Sequence, residues 1–240
     1  MKKLPILIFH GWNLSGSRFR PLQVAFEKKG FVVFAPDFPG FGNAKIPPKP
    51  YSLSDYALFV ETFLDRHNIK KCIIVGHSFG GRVALIFTQN HPEKVAALIL
   101  TGTPLFPPVA KPKMKLFLII AKVGKLFFLI PPLSLFAEIS KKFLYRVSGS
   151  SDYYQTHGMM RQTFRLVIKE DLLPALQSIS IPLLMIWGGN DAITPVWIAQ
   201  KAHKIKPESQ LIIIEGERHM VPVDQPGKFV NGVITFLEAV

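Results

Sequence analysis

Along this chain, short runs of consecutive apolar residues alternate with longer stretches of helical character. An apolar run of four to six residues fits a strand buried on both faces. When such runs are separated by helices, the pattern predicts a mainly parallel sheet with helices on both faces. Strands are expected at residues 4–9, 31–34, 72–75, 97–100, 183–187 and 211–214, and helices at 20–29, 53–67, 80–90, 196–205 and 227–239. Ser52 and Asp55 mark the start of the second helix, where a hydroxyl and a carboxylate three residues apart can satisfy free first-turn amides.

The alternation breaks between Pro104 and Pro174, where Lys, Phe, Leu and Pro dominate and no clean strand is visible. This divides the chain into an α/β core of residues 1–103 and 175–240 and a helical lid insertion of residues 104–174. Wound as a helix, residues 111–130 place Lys111, Lys115, Lys122 and Lys125 within an arc of roughly 80° and give the rest of the surface to Phe117, Ile119, Ile120, Val123, Leu126, Phe127 and Phe128. Lys122 and Lys125 interrupt the apolar surface and Pro131-Pro132 ends the segment, which is against a membrane span of roughly 20 apolar residues.

Composition narrows the picture. At 240 residues one α/β domain with a modest insertion can bury a sizeable core. Hydrophobic residues make up 48% and charged residues 19%, far from a disordered chain. The formal net charge is +13, and residues 111–146 supply +7 of it, from eight basic residues against Glu138. The simplest reading of this stretch is a lid whose lysines face water. The functional alternative is docking on an anionic membrane surface or an acidic carrier protein. No nucleic-acid motif or aromatic-basic interleaving accompanies the charge, so nucleic acid is not expected. Cys72 is the sole cysteine, which argues against a disulfide framework and fits a reduced, cytoplasmic setting, with peripheral membrane contact left open. The apolar opening, broken by Pro5 and leading into His10-Gly11-Trp12, reads as a strand and not as a signal peptide. The seven histidines show no ligand-like spacing with cysteines or carboxylates, so neither a metal nor another cofactor is expected.

The strongest chemical signal is Gly76-His77-Ser78-Phe79-Gly80-Gly81, set between an expected strand and an expected helix. This is the G-x-S-x-G elbow. A serine on such a turn projects its hydroxyl above the sheet, glycines leave room where strand and helix crowd, and the Phe79 amide points at a developing oxyanion. Three further features follow in compatible order. His10-Gly11-Trp12 closes the first strand and offers the Trp12 amide as a second oxyanion donor. Gly188-Gly189-Asn190-Asp191 puts an acid after a late strand, and Glu215-Gly216-Glu217-Arg218-His219 puts an imidazole after the last one. Open α/β sheets gather their sites at that carboxyl edge.

On these residues, together with Asp37-Phe38-Pro39-Gly40-Phe41-Gly42, the chain resembles the α/β-hydrolase superfamily, in particular the esterase branch that includes pimeloyl-acyl-carrier-protein methyl ester esterase. The resemblance covers both ends of the chain and not residues 104–174. It implies a fold in which Ser78 is the nucleophile, Asp191 the orienting acid and His219 the base. Two departures accompany it: the His-Gly turn comes at residue 10, implying a sheet shortened to about six strands, and Glu217 and Arg218 precede His219 where small residues are usual.

Glu215, Glu217 and Asp224 rival Asp191 by their nearness to His219, but the position of Asp191 after a late strand favours it, and the Thr101-Gly102-Thr103-Pro104 loop, another place where such a fold can carry its acid, holds none. His10 and His77 are expected to order turns by hydrogen bonding, Asp37 to hold its own loop, and Cys72 to pack in the core. The expected activity is hydrolysis of carboxylic esters with an apolar portion. Thioester, lactone, carbon–carbon bond and perhydrolytic chemistry share this machinery, and a non-turnover ligand-binding protein or a lipid-surface-binding protein are the rivals from other classes.

Overall fold

A computed structural model of the chain describes residues 3–107 and 156–240. The basic stretch at 111–146, with its expected amphipathic helix, lies outside the described residues, as does most of the expected lid. In chain order the elements are β1 (Ile6–Phe9), a 3-10 turn (Gly16–Phe19), α1 (Arg20–Glu27), β2 (Val33–Phe34), α2 (Leu53–Arg66), β3 (Cys72–His77), α3 (Phe79–Asn90), a second 3-10 turn (Pro92–Lys94) and β4 (Val95–Thr101). After the gap come α4 (Gly158–Lys169), α5 (Leu173–Ser178), β5 (Leu183–Gly188), α6 (Trp197–Ile205), β6 (Gln210–Ile214), α7 (Val221–Asp224) and α8 (Pro226–Glu238). The six strands form one parallel sheet in the order β2-β1-β3-β4-β5-β6.

Each central strand is apolar on both faces, because both faces are covered. Leu7, Phe9, Ile74, Leu98, Leu100, Met185 and Trp187 pack with residues of α2, α3 and α6. The alternate residues Ile6, Ile8, Ile73, Val75, Ala97, Ile99, Leu184 and Ile186 pack with α1 and α8. The period of two along each strand therefore divides the core into two layers, as continuous apolar runs require.

The expected elements match the observed ones closely, and the differences have local causes. Pro5 lacks an amide, and the first strand starts after it, at Ile6. Phe31 and Gly30 belong to the turn that ends α1: their amides donate to the carbonyls of Phe26 and Glu27, Gly30 adopts φ +80°, and only Val33–Phe34 remains for pairing at the sheet edge. In the described part of the stretch expected to be a helical insertion without a strand, α4 forms, and α5 straddles its expected end at residue 174, with Ala175 and Leu176 joining the core. Among the described residues no helix is long and apolar enough to cross a membrane.

The start of α2 is as expected. Ser52 Oγ accepts the Asp55 amide at 3.2 Å while Asp55 Oδ2 accepts the Ser52 amide at 2.8 Å. Replacing a capping serine by alanine leaves a first-turn donor unmatched. Ser52→Ala is expected to cost about 1 kcal/mol, measured by urea unfolding, with the far-ultraviolet spectrum of the folded state unchanged.

Candidate active site

At the end of β3 the chain reverses within one residue. Ser78 has φ 54° and ψ −117°, a conformation that costs a residue bearing a Cβ about 1–3 kcal/mol and persists only where the surroundings impose it. They do so here. The Ser78 amide donates to the Thr101 carbonyl at the end of β4 (2.9 Å), and the Ser78 carbonyl accepts from Gly81 (3.0 Å) as α3 begins. The flanking glycines are required by space: a Cβ on Gly76 would lie 2.6 Å from the Gly81 Cα, one on Gly80 would run into the Phe9 carbonyl, and one on Gly81 into the Thr103 hydroxyl.

Beside this turn, Trp12 follows β1. Its buried ring meets Phe41, Phe79 and Phe164 edge-on at centroid distances of 4.8, 5.2 and 4.9 Å. Its indole N–H donates to Thr156 Oγ1 at 3.0 Å. No hydrogen bond among the described residues engages the backbone amide of Trp12 or of Phe79.

Asp191 sits just past β5 and His219 past β6, and the two meet. His219 Nδ1 donates to Asp191 Oδ2 at 2.7 Å, which puts the imidazole proton on Nδ1 and leaves the Nε2 lone pair available. Asp191 is buried and fully engaged: Oδ1 accepts the amides of Ile193 (2.9 Å) and Thr194 (2.8 Å), and Oδ2 also accepts the Thr194 hydroxyl (2.7 Å). Burial alone would raise its carboxyl, but the hydrogen bond and charge of His219 and the Thr194 donors outweigh that and hold it below the usual carboxylate range. The imidazole stands over Gly102, where a Cβ would be 2.7 Å from His219 Cε1. Gly102 directly follows Thr101, the residue that fixes the Ser78 amide. No hydrogen bond joins the Ser78 hydroxyl to His219 in this structure. Such contacts are often long before substrate binds, and one side-chain rotation changes them.

The sequence profile described as alpha/beta hydrolase fold matches residues 5–119. Among curated relatives, an uncharacterised protein of Mycobacterium tuberculosis is 27% identical over 97% of this chain and 75% of its own length. The pimeloyl-[acyl-carrier protein] methyl ester esterase of Neisseria meningitidis is 25% identical over 98% of this chain and 94% of its own. Among solved structures, a bromoperoxidase from Bacillus anthracis superposes with a TM-score of 0.74 at 21% identity, covering 98% of this chain and 92% of that one. The chain has the α/β-hydrolase fold.

The other sequence candidates fall into place around that centre. Glu217, a rival to Asp191, accepts instead from Gln225 Nε2 at 2.8 Å. His10 orders its loop as expected: Nε2 accepts the Phe38 amide at 3.0 Å, which fixes the proton on Nδ1 for donation to the Gly11 carbonyl at 2.9 Å. Two expectations need correction. Asp37 does more than hold its own loop, since it accepts the amide of Gly16 (2.7 Å) from the loop after β1 as well as that of Asn43 (2.9 Å). His77 orders no turn through a well-aligned hydrogen bond, because neither ring nitrogen has such a partner among the described residues, the Thr101 backbone acting on it only weakly. As the last residue of a central strand it is enclosed by rings, with Phe19 at 5.6 Å and His219 at 4.7 Å. The sequence reading also missed Thr194, whose D-x-x-T spacing from Asp191 was the available signal, and Arg82, which had none.

His77 lies well below its ordinary value, first through burial and then through the His219 and His10 imidazoles. His10 is lowered chiefly by burial. Unfolded, both protonate near about 6.5. Below that pH the unfolded chain takes up protons that the folded chain refuses. The stability tied to the neutral rings is therefore complete above about 6.5 and is lost as the pH falls toward the lowered folded values. Urea unfolding between about pH 7.5 and 5.5 should show stability falling by up to about 1.4 kcal/mol per pH unit for each ring, and His77→Leu should remove one ring's share of the slope.

Proposed function

We propose that this chain is a serine carboxylic ester hydrolase that works through an acyl-enzyme intermediate. The observation that carries the proposal is the Asp191–His219 pair, 2.7 Å apart and poised at the edge of the sheet where Ser78 occupies its strained turn. A serine hydroxyl is a poor nucleophile until a base accepts its proton during attack. In this reading Ser78 Oγ attacks the ester carbonyl carbon as His219 Nε2 takes the hydroxyl proton. The C=O π bond becomes the oxyanion, which accepts from the amides of Trp12 and Phe79. Collapse breaks the bond to the alcohol, which leaves with the proton from His219. A water, deprotonated by the same nitrogen, then attacks the acyl-serine and restores the hydroxyl. Asp191, its carboxyl kept ionised, holds the Nδ1–H tautomer and stabilises the imidazolium formed in each half.

The substrate portion beside the carbonyl is apolar in this proposal, because Trp12, Phe41, Phe79, Met160 and Phe164 surround the loop that supplies the Trp12 amide. The resemblance to a methyl ester esterase at 25% identity agrees with ester chemistry.

Steady-state hydrolysis of p-nitrophenyl butyrate tests the assignment. Ser78→Ala and His219→Ala are each expected to lower kcat by about 10⁵- to 10⁶-fold, and Asp191→Asn by about 10⁴-fold through loss of the correct tautomer. A Ser78→Ala enzyme retaining a tenth or more of the parent rate would remove Ser78 from the mechanism. A parent that is phosphonylated at Ser78 yet never turns over would instead be a ligand-binding protein with this fold.

A further inference from the structure

Arg82 stands one helical turn beyond Ser78 on α3 and is 3% exposed. A guanidinium is rarely placed this deep, because burial removes its hydration and each N–H must then find another acceptor. Here the acceptors are backbone carbonyls. Nε and Nη2 both donate to the Val167 carbonyl, at 3.1 and 2.7 Å, Nη2 also donates to that of Glu170 at 2.6 Å, and Nη1 donates to that of Pro104.

Those carbonyls share a meaning in the fold. Pro104 lies where the chain has just left β4. Val167 and Glu170 lie in and just beyond the last turn of α4, where carbonyls lack helical partners and the helix dipole favours a cation. One planar fork thus ties both borders of the 104–174 segment to α3, the helix that follows Ser78. A lysine could not reproduce this, since its donors radiate from a single nitrogen.

The helix so held bears on the candidate site. Met160, Thr163, Phe164 and Val167 fall on one face of α4 at the spacing of a single stripe. Met160 lies against Gly40, Thr163 Oγ1 accepts the Tyr51 amide at 3.0 Å, and the Phe164 ring packs on Trp12. Trp12 also donates its indole N–H to Thr156, two residues before α4 begins. The position of α4 therefore sets the apolar wall next to the Trp12 amide.

We infer that Arg82 is a positioning residue that fixes α4 over the Trp12 loop and thereby sets the acyl-chain-length preference of the site. The clause about preference rests on the ester-hydrolase reading; the clamp itself does not. Removal of the fork leaves the buried Val167 carbonyl and the part-buried Pro104 and Glu170 carbonyls without this partner and lets α4 shift or open locally, which widens the wall without touching Ser78, His219 or Asp191.

The test compares the full-length parent with Arg82→Met and Arg82→Lys by two readouts: hydrogen exchange of peptides covering α4, β3 and α3, and kcat and KM on p-nitrophenyl esters from acetate to octanoate. For Arg82→Met, α4 amides are expected to exchange about tenfold faster, with β3 unchanged. KM for octanoate should rise about tenfold while kcat for acetate stays within about twofold, and Arg82→Lys should fall between parent and Arg82→Met. Unchanged exchange in α4, or an equal loss at every chain length, would overturn the inference, since a merely structural arginine predicts the uniform loss. If Arg82→Met does not fold, Arg82→Lys decides the same two comparisons. A parent inert toward every ester would defeat the hydrolase reading, and the exchange measurement would then decide the clamp alone.

Discussion

Three chain segments converge on one point at the top of the sheet: the end of β3, the first turn of α3, and the loop leaving β4, with the end of β1 pressed against the same turn. No side chain fits at Gly76, Gly80 or Gly81, because each would meet backbone or a neighbouring hydroxyl at less than contact distance. That crowding holds Ser78 at φ 54° and ψ −117°, outside the conformations its Cβ favours. The cost of this strain is offset elsewhere, by the two-layered apolar core that covers both faces of the sheet and by the hydrogen bond from the Ser78 amide to Thr101. A substitution that relieved the crowding would let the turn relax and lower the hydroxyl back toward the sheet.

Around that point the electrostatics are arranged with little free charge. Asp191 is the buried anion, and its donors are the Ile193 and Thr194 amides, the Thr194 hydroxyl and His219. His10 and His77 stay neutral through burial. A protonated His77 at 4.7 Å from the His219 ring would oppose an imidazolium there, so the burial that keeps His77 neutral also keeps a competing cation away. Arg82 is drawn down by burial to about 10 and remains protonated at neutral pH, its charge met by carbonyls and by Glu170 and Asp171 at longer range.

Much of this was legible in the sequence because it depends on local pattern. Buried parallel strands announce themselves as unbroken apolar runs, the Ser52–Asp55 cap is a three-residue relation, and G-x-S-x-G encodes the crowding directly in its glycines. The pairing of Asp191 with His219 followed from the rule that distant loops meet at the carboxyl edge of such a sheet. What escaped were interactions between a side chain and a remote backbone. Arg82 reaches carbonyls 22, 85 and 88 residues away, and any residue type can supply a carbonyl, so nothing in the composition of those positions marks them. His77 was misread for a related reason: its environment is set by Phe19 and His219, brought together only by tertiary packing. The shortness of β2 likewise reflects competition from the turn that ends α1, a choice that the apolar run at 31–34 does not record.

The central claim is that Ser78 is the group that becomes covalently attached to substrate. Incubation with a fluorophosphonate, followed by intact-mass analysis and peptide mapping, tests it most directly. The account predicts one adduct per chain, located on the peptide containing Ser78, absent from Ser78→Ala and formed far more slowly by His219→Ala. An adduct on any other residue, or ester turnover by a chain whose Ser78 remains unmodified after complete inactivation, would contradict it.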